Sequence, residues 1–318
     1  MSPAPASPAT RPEGERIAKV LARAGLCSRR DAERWIAAGR VAVNGMTLTS
    51  PALNVGPDDD IAVDGQPLQE RERTRLWLYH KPKGLVTTAR DPQGRPTVFS
   101  ALPEGLPRVV TVGRLDINSE GLLLLTNDGG LARMLALPST GWLRRYRVRA
   151  HGAAITQADL DRLRAGITLD GIAYTVAEAT LDRVQGTNFW MTIALREGKN
   201  REIKRVLAHL KLFTTRLIRI SYGPFQLGEL PQGEVAEIRG RVLRDQLGHK
   251  LVEAAGADFT APLRPPPNPV PEPEPEQAAK KPRTGLRHPR RDDRRRRPEA
   301  ERGEKKPKTV KRGAHRRR

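Results

Sequence analysis

Asp116 lies in Gly113-Arg114-Leu115-Asp116-Ile117-Asn118-Ser119-Glu120-Gly121, an acidic position on a loop bracketed by glycines. Apolar Val109-Val110-Thr111-Val112 precedes it, and Leu122-Leu123-Leu124-Leu125-Thr126 follows, running into Asn127-Asp128-Gly129. Short apolar runs bounded by turn residues read as strands at the centre of a sheet. A carboxylate held between two such strands, with Arg114 two positions away, is placed for nucleophilic or acid–base work. Two other segments carry suitable side chains. Tyr146, in Arg144-Arg145-Tyr146-Arg147-Val148, sets an aromatic ring among cations, which suits a flat base stacked among phosphates. Glu197-Gly198-Lys199-Asn200-Arg201-Glu202-Ile203-Lys204-Arg205 follows a strand over 189–195 and opens a helix through Val206, Leu207 and Leu210. Arg201, Lys204, Arg205 and His209 fall near one helical stripe, so at least one cation can face a carboxylate.

The elements that must position these groups are of mixed type. A strand is predicted at Leu76-Trp77-Leu78-Tyr79, running into the basic turn His80-Lys81-Pro82-Lys83-Gly84. Thr156 and Asp159 form a capping signal for a helix to Leu163, with Leu160 and Leu163 on one face. Asp170-Gly171 reads as a hairpin turn between Ile167-Thr168-Leu169 and Tyr174-Thr175-Val176. Hairpins in place of regular strand–helix repeats predict a mixed, mainly antiparallel sheet in an α+β fold, not a doubly wound one.

Upstream, Ile17, Val20, Leu21 and Ala24 recur at helical spacing from Glu15 until Gly25. A second helix is predicted from Ser28, with Asp31 completing a capping box, to about Gly39. Val41-Ala42-Val43-Asn44-Gly45 then gives a strand and an Asn-Gly hairpin turn, and Ile61-Ala62-Val63-Asp64-Gly65 a further strand. Lys19 with Arg23, and Arg30 with Arg34, stand four apart, with Arg29 and Arg40 close by, so two short helices can present one basic surface to a phosphate backbone.

Charge is distributed unevenly along the 318 residues. The net charge is +21, and residues 280–318 alone hold 19 Lys and Arg against 5 Asp and Glu, a net of +14. With almost no apolar residues, that tail is expected to be disordered. Eight prolines between Pro262 and Pro275 predict an extended linker before it. Such a basic excess favours a polyanionic partner, nucleic acid before anionic membrane. No 18-residue apolar stretch exists, and Met1 to Arg16 lacks the apolar core of a signal peptide, so a soluble cytoplasmic protein without membrane association is expected. The single cysteine, Cys27, excludes an internal disulfide and a multi-Cys zinc site.

Leu21-Ala22-Arg23-Ala24-Gly25-Leu26-Cys27-Ser28-Arg29-Arg30, with Ile36-Ala37-Ala38-Gly39-Arg40-Val41-Ala42-Val43-Asn44-Gly45, resembles the S4 RNA-binding domain over about residues 15–68. The resemblance implies a small module that docks on structured RNA by shape and backbone. Lys19, Arg23, Arg29, Arg30, Arg34 and Arg40, with Arg114, are the expected RNA contacts. The rest resembles the pseudouridine synthases, within them the bacterial ribosomal-RNA enzymes that carry an N-terminal S4 domain. Tyr79 to Gly84, Asp91 to Val98, Gly113 to Asp116 with Ser119 to Gly129, Arg145 to Val148, Glu197 to Arg205 and Arg216 to Ile220 carry it, in order, across residues 15–245. The Asp91 to Phe99 segment and the basic extension look most like the members that modify large-subunit (23S) ribosomal RNA.

The resemblance implies that Asp116 is the catalytic aspartate, that Tyr146 stacks on the target base, and that a cation from 198–205 pairs with the aspartate. Lys204 is favoured for that cation over Arg201 and Arg205. The implied layout is a disordered N-terminus over 1–14, an S4-like domain over 15–68, a linker over 69–75, a catalytic domain over 76–250, and a Pro-rich linker and basic tail over 251–318. Uridine isomerisation needs no redox change, group donor or metal, so no cofactor is expected, and a monomer is. Two other readings use the same residues. One is a non-catalytic ribosomal-RNA-binding or assembly factor. The other is a glycoside hydrolase pairing Asp116 with Glu120 or Asp128, which requires two carboxylates converging on one bond. Deleting residues 262–318 is expected to weaken RNA binding and flatten its salt dependence without changing the chemical step; an unchanged salt slope would refute a role for the tail in binding.

Overall fold

The computed structural model describes residues 14–263; the expected disordered N-terminus up to residue 13, and the linker and tail from residue 264 on, lie outside the described residues. The N-terminal part comprises β1 (Glu15–Arg16), α1 (Ile17–Arg23), α2 (Arg29–Ala37), β2 (Val41–Val43), β3 (Met46–Thr47), β4 (Asn54–Val55), β5 (Ile61–Val63) and β6 (Gln66–Pro67). Ser28 caps α2 with the expected capping box, its hydroxyl accepting from the Asp31 backbone N–H at 3.1 Å. Asn44 and Gly45, with φ of 52° and 76°, form the tight β2–β3 turn. Strands β3-β2-β5-β6 make one sheet, and α1 and α2 close a core of Ile17, Leu21, Ala32, Ile36, Val41 and Val63 against it. The helix expected from Glu15 begins two residues later, because Glu15 and Arg16 pair with Val55 and Asn54 as a short ladder.

The second part comprises β7 (Leu76–Lys81), β8 (Val110–Thr111), β9 (Glu120–Thr126), α3 (Gly129–Ala136), β10 (Arg144–Gly152), α4 (Gln157–Arg162), β11 (Ile167–Leu169), β12 (Ile172–Tyr174), β13 (Glu178–Gln185), β14 (Asn188–Leu195), α5 (Glu202–His209), β15 (Leu212–Tyr222), β16 (Phe225–Gln226), β17 (Val235–Glu237) and α6 (Gly240–Ala255). Its main sheet runs β13-β14-β10-β15-β9-β7-β17, with β8 and β16 attached to β9 and β15. Only β9 and β15 pair parallel; the other pairs are antiparallel, giving the mixed α+β architecture. The Asp170-Gly171 turn, with φ of 50° and 74°, is a two-residue loop, so its return strand starts at Ile172 and not at the expected Tyr174.

The four leucines of β9 divide between two cores, since a strand covered on both faces reads as an unbroken apolar run. Leu123 and Leu125 join the cluster under α5 with Tyr79, Val148, Ile193 and Val206; Leu122 and Leu124 join the one under α3 and α6 with Tyr222, Leu135 and Leu243. Each fully buried leucine contributes about 1.5–3 kcal/mol.

Asp128 joins the two parts. Its side chain caps α3 by accepting from the Gly130 backbone N–H at 2.8 Å, accepts from the Thr74 hydroxyl at 2.9 Å, and pairs with Arg71. Arg23 of α1 reaches within 3.7 Å of the same carboxylate and donates to the carbonyls of Ala255 and Gly256 at 3.3 and 3.2 Å. The expected linker 69–75 is therefore packed through Arg71 and Thr74. The catalytic boundary expected at 250 also moves: after a break at Gly248, where φ is 71°, α6 runs on to Ala255, and Ala257 and Phe259 pack against its core. Asp128→Asn strips the charge from a buried hub, leaves Arg71 without its carboxylate and leaves Arg23 with Glu15 alone. A loss of about 3 kcal/mol of unfolding free energy is expected by denaturant titration, and a loss under about 0.5 kcal/mol would refute the hub.

Candidate active site

The loop between β8 and β9 carries Asp116 to the mouth of a cleft of about 640 Å³ lined by Gly113 to Ile117, Tyr146, Leu217 and the 197–204 segment. The loop's shape comes from a buried lysine. Lys81 is fully buried at the end of β7, where its ammonium donates to the carbonyls of Pro82 (3.0 Å), Asp116 (3.3 Å) and Ser119 (3.0 Å). Burial pushes the ammonium down to about 8, against the pull of Asp116 and Glu120. Thr87 adds a second brace: its hydroxyl donates to the Leu115 carbonyl at 2.7 Å. The backbone on both sides of Asp116 is thus held while its carboxylate, with a 42% exposed side chain, faces the cleft.

Lys204 is the cation that meets it, with Nζ 3.6 Å from Asp116 Oδ2 and only 16% of its side chain exposed. The other cations of the segment go elsewhere. Lys199 pairs with Glu197 at 2.5 Å and donates to the Ala173 carbonyl at 2.6 Å, and Arg205 donates to the Tyr174 hydroxyl at 3.5 Å. Arg201 is the N-cap of α5 in a left-handed conformation and lines the cleft beside Asn200. The expected stripe of Arg201, Lys204, Arg205 and His209 therefore splits, because the turn at Arg201 resets the phase at which α5 begins.

Tyr146 is 8% exposed and forms a wall of the cleft, its ring packed in the cluster under α5. Arg145 and Arg147 do not share that face: along β10, Tyr146, Val148 and Ala150 are buried, and Arg147, Arg149 and His151 are exposed. Strand alternation corrects the expectation for Arg145 and Arg147, whereas Arg144 is buried and lines the cleft with Tyr146. Arg114 is exposed and lines the cleft.

On the small domain, Arg29, Arg30 and Arg34 are exposed on α2, Arg34 pairing with Asp31. Lys19 pairs with Glu15, and Arg40 pairs with Asp64 at 2.6 Å while lying over the Trp35 ring at 4.7 Å. Arg23 departs furthest from the expected RNA contacts, since it is spent on the Asp128 junction.

The other acids near Asp116 are engaged. Glu120 is buried against Arg216 (2.9 Å) and Lys83 (3.4 Å), and although burial pushes its carboxyl up, these cations hold it below the usual carboxylate value. With Glu120 held by Arg216 and Lys83 and Asp128 at its hub, neither carboxylate named for the glycosidase reading is free to converge with Asp116 on one bond. Three residues escaped sequence reading: Lys81 behind the Asp116 loop, and Arg219 and Glu202 in the cleft lining. Lys81 shares the inward face of β7 with Tyr79, a period-two signal in the sequence. Arg219 is buried and donates to the Leu122 carbonyl at 2.7 Å, with Nη2 unpartnered. Glu202 is 3% exposed, with Oε2 accepting from the Lys199 backbone N–H at 2.9 Å and Oε1 unpartnered.

Comparison with known proteins sets the class first. Residues 15–61 match the S4 domain, and residues 75–209 match the RNA pseudouridylate synthase family. An RNA pseudouridine synthase of Rickettsia felis, described as uncharacterized, is 46% identical over 231 residues, 72% of this chain and 99% of that protein. Ribosomal large subunit pseudouridine synthase B of Pseudomonas aeruginosa is 39% identical over 293 residues, 89% of this chain and 75% of that one. A crystal structure of a pseudouridylate synthase, 24% identical, shares the fold over 72% of this chain and 97% of that one, with a TM-score of 0.50. The chain belongs to the RNA pseudouridine synthases. No helix among the described residues is long and apolar enough to cross a membrane.

Glu202 supplies a pH test of the cleft wall. Burial, reinforced by Glu197 and opposed by the Lys199 N–H, pushes its carboxyl from 4.5 up to about 7. The fold thus favours the neutral acid: its contribution to stability is complete below about pH 4.5 and is lost as pH rises through about 7. Glu202→Gln is expected to raise Tm at about pH 8 and to flatten the fall in Tm across this window; parallel Tm–pH curves for both proteins would refute the assignment.

Proposed function

We propose that this enzyme isomerises a uridine of large-subunit (23S) ribosomal RNA to pseudouridine, with Asp116 as its catalytic residue, Tyr146 as the stacking platform and Lys204 as the partner of the carboxylate. The observation that carries the reading is the 3.6 Å Lys204–Asp116 pair at the mouth of a cleft walled by Tyr146. Similarity to the large-subunit enzyme of Pseudomonas aeruginosa supports the RNA class.

The reaction breaks the N1–C1′ bond, turns the uracil in place and joins C5 to C1′; C5 gives up one proton and N1 takes one up, so the change is an isomerisation with no net oxidation. A carboxylate beside C1′ serves either by attacking C1′ as uracil leaves, the ester then being displaced by C5, or by taking the C2′ proton to give a glycal and returning it to C2′ as C5 adds to C1′. In both routes C5 loses its proton at the end and N1 is left protonated. The uridine must leave its stack to enter the cleft, at a cost of a few kcal/mol. Stacking on Tyr146, worth about 1–3 kcal/mol per base, offsets this, and the cations of α2 supply backbone contacts outside the cleft. The proposed arrangement acts in the cytoplasm as a monomer and uses no cofactor. Residues 15–68 dock the RNA, 69–75 link, 76–250 carry the chemistry together with the rest of α6, and the segment beyond residue 263 adds basic charge.

Asp116→Asn is expected to lower turnover at least about 10³-fold, read by pseudouridine mapping of the rRNA, with RNA affinity within about threefold of wild type. Lys204→Met is expected to cost about 10²-fold in kcat at similar affinity. Wild-type turnover by Asp116→Asn would overturn the assignment. Rescue of a deletion strain by that inactive variant would instead favour the assembly-factor reading.

A further inference from the structure

The arginines that alternate with Tyr146 are unused by the cleft. On the outer face of the main sheet, Leu122, Leu124 and Ile218 lie under α3 and α6, but the half formed by β13, β14, β10 and one end of β15 is open. Register places Arg147 and Arg149 of β10 beside Thr192 and Trp190 of β14, Arg183 of β13 beside Trp190, and Arg216 of β15 beside Arg149. Arg147, Arg149, Arg183 and Arg216 are all exposed. Arg147 lies over the Trp190 ring at 5.2 Å, and His151 stacks on Phe213 at 5.5 Å, although Phe213 remains 66% exposed. Nearby acids are few and engaged: Glu178 pairs with Arg145 at 3.1 Å, Asp182 accepts from the Thr192 hydroxyl at 2.9 Å, and Glu120 is buried against Arg216.

We infer that this open half-face is a second RNA-binding surface, which takes the sugar–phosphate backbone of the substrate RNA at a segment remote from the target uridine. It rests on the proposed function for the identity of that RNA. Charge complementarity selects the occupant. Alternate residues of β10 stand about 6.6 Å apart along the strand, comparable to successive phosphates of an RNA strand, so Arg147 and Arg149 can each meet a phosphate. Trp190 and Phe213, already layered with a guanidinium and an imidazole, offer the ring surfaces on which unpaired bases stack. Among the described residues the face offers no unengaged carboxylate close to these arginines, so a protein partner or a second copy of this chain would have to bring all the acids itself.

The test uses the full chain carrying Arg147→Gln, Arg149→Gln and Arg183→Gln together, with a large-subunit rRNA transcript as the probe in a salt titration. Three lost phosphate contacts should flatten the slope of log affinity against log salt by about 2, and raise Kd and KM about tenfold at physiological salt. The kcat at saturating RNA should stay at the wild-type value, since none of the three lines the cleft. Unchanged Kd and slope overturn the proposal. So does altered sedimentation with unchanged RNA binding, which assigns the face to a second copy. If the triple variant fails to fold, the single changes Arg147→Gln and Arg149→Gln, each expected to flatten the slope by about 0.7, carry the test. Failure of the function reading appears separately, as wild-type turnover in Asp116→Asn, and leaves the slope comparison intact.

Discussion

The contact on which the rest of the structure depends is the parallel pairing of β9 with β15, only two residues long, where Gly121 faces Arg219. A Cβ at Gly121 would stand 2.3 Å from the Arg219 carbonyl oxygen and 2.7 Å from its nitrogen, and the residue adopts φ of 97°. Only glycine permits that approach without moving a backbone. On one side lie β17, β7 and β9 with α3 and α6; on the other lie β15, β10, β14 and β13 with α4 and α5. Asp116 enters from the first half and Tyr146 and Lys204 from the second, so the geometry of the cleft is set across this seam. Arg219 reinforces it with its own side chain, which crosses to the Leu122 carbonyl.

Three acids stand close together in sequence around β9, and their surroundings assign them different work. Glu120 is buried and neutralised by Arg216 and Lys83, and Asp128 is buried and shared between a helix cap and two guanidiniums. Both are expensive to isolate, because a buried charge without its partners costs far more than a surface pair returns. Asp116 alone keeps an open carboxylate, and its freedom depends on its backbone being fixed by Lys81 and Thr87. Anchoring the main chain while leaving the side chain exposed keeps the proposed catalytic carboxylate in place without filling the cleft it faces.

Local chemistry was legible in the sequence. The capping boxes at Ser28 and Thr156 and the positive-φ turns at Asn44-Gly45 and Asp170-Gly171 are each decided by residues within a few positions. The Asp116 loop was legible for the same reason, as an acid between two apolar runs. Arg23 was not. Its spacing from Lys19 reads as a solvent-facing stripe, yet besides Glu15 nearby it reaches Asp128 and the carbonyls that end α6, groups far along the chain that no local pattern announces. Spacing alone left the choice among Arg201, Lys204 and Arg205 open, and only the family resemblance favoured Lys204, because the choice turns on where α5 starts. Arg201 sits in the left-handed region as the cap, so the helix counts from Glu202 and Arg205 swings toward Tyr174.

Strand β10 shows how one sequence pattern serves two surfaces. Cations interleaved with an aromatic look like a single nucleic-acid platform when only composition is weighed, but a period of two sends neighbours to opposite faces of a sheet. Tyr146 goes to the core side with Val148 and Ala150, and Arg147 and Arg149 go to the side that α3 and α6 leave uncovered. A strand buried on both faces would need apolar residues throughout, as β9 has, so the arginines themselves mark the face that stays open to water. Because both sets share one backbone, a shift of β10 by a single residue would exchange them, placing guanidiniums in the apolar core and the tyrosine in solvent. Burial of Val148 and Ala150 on one side therefore fixes the register that presents the arginine row on the other.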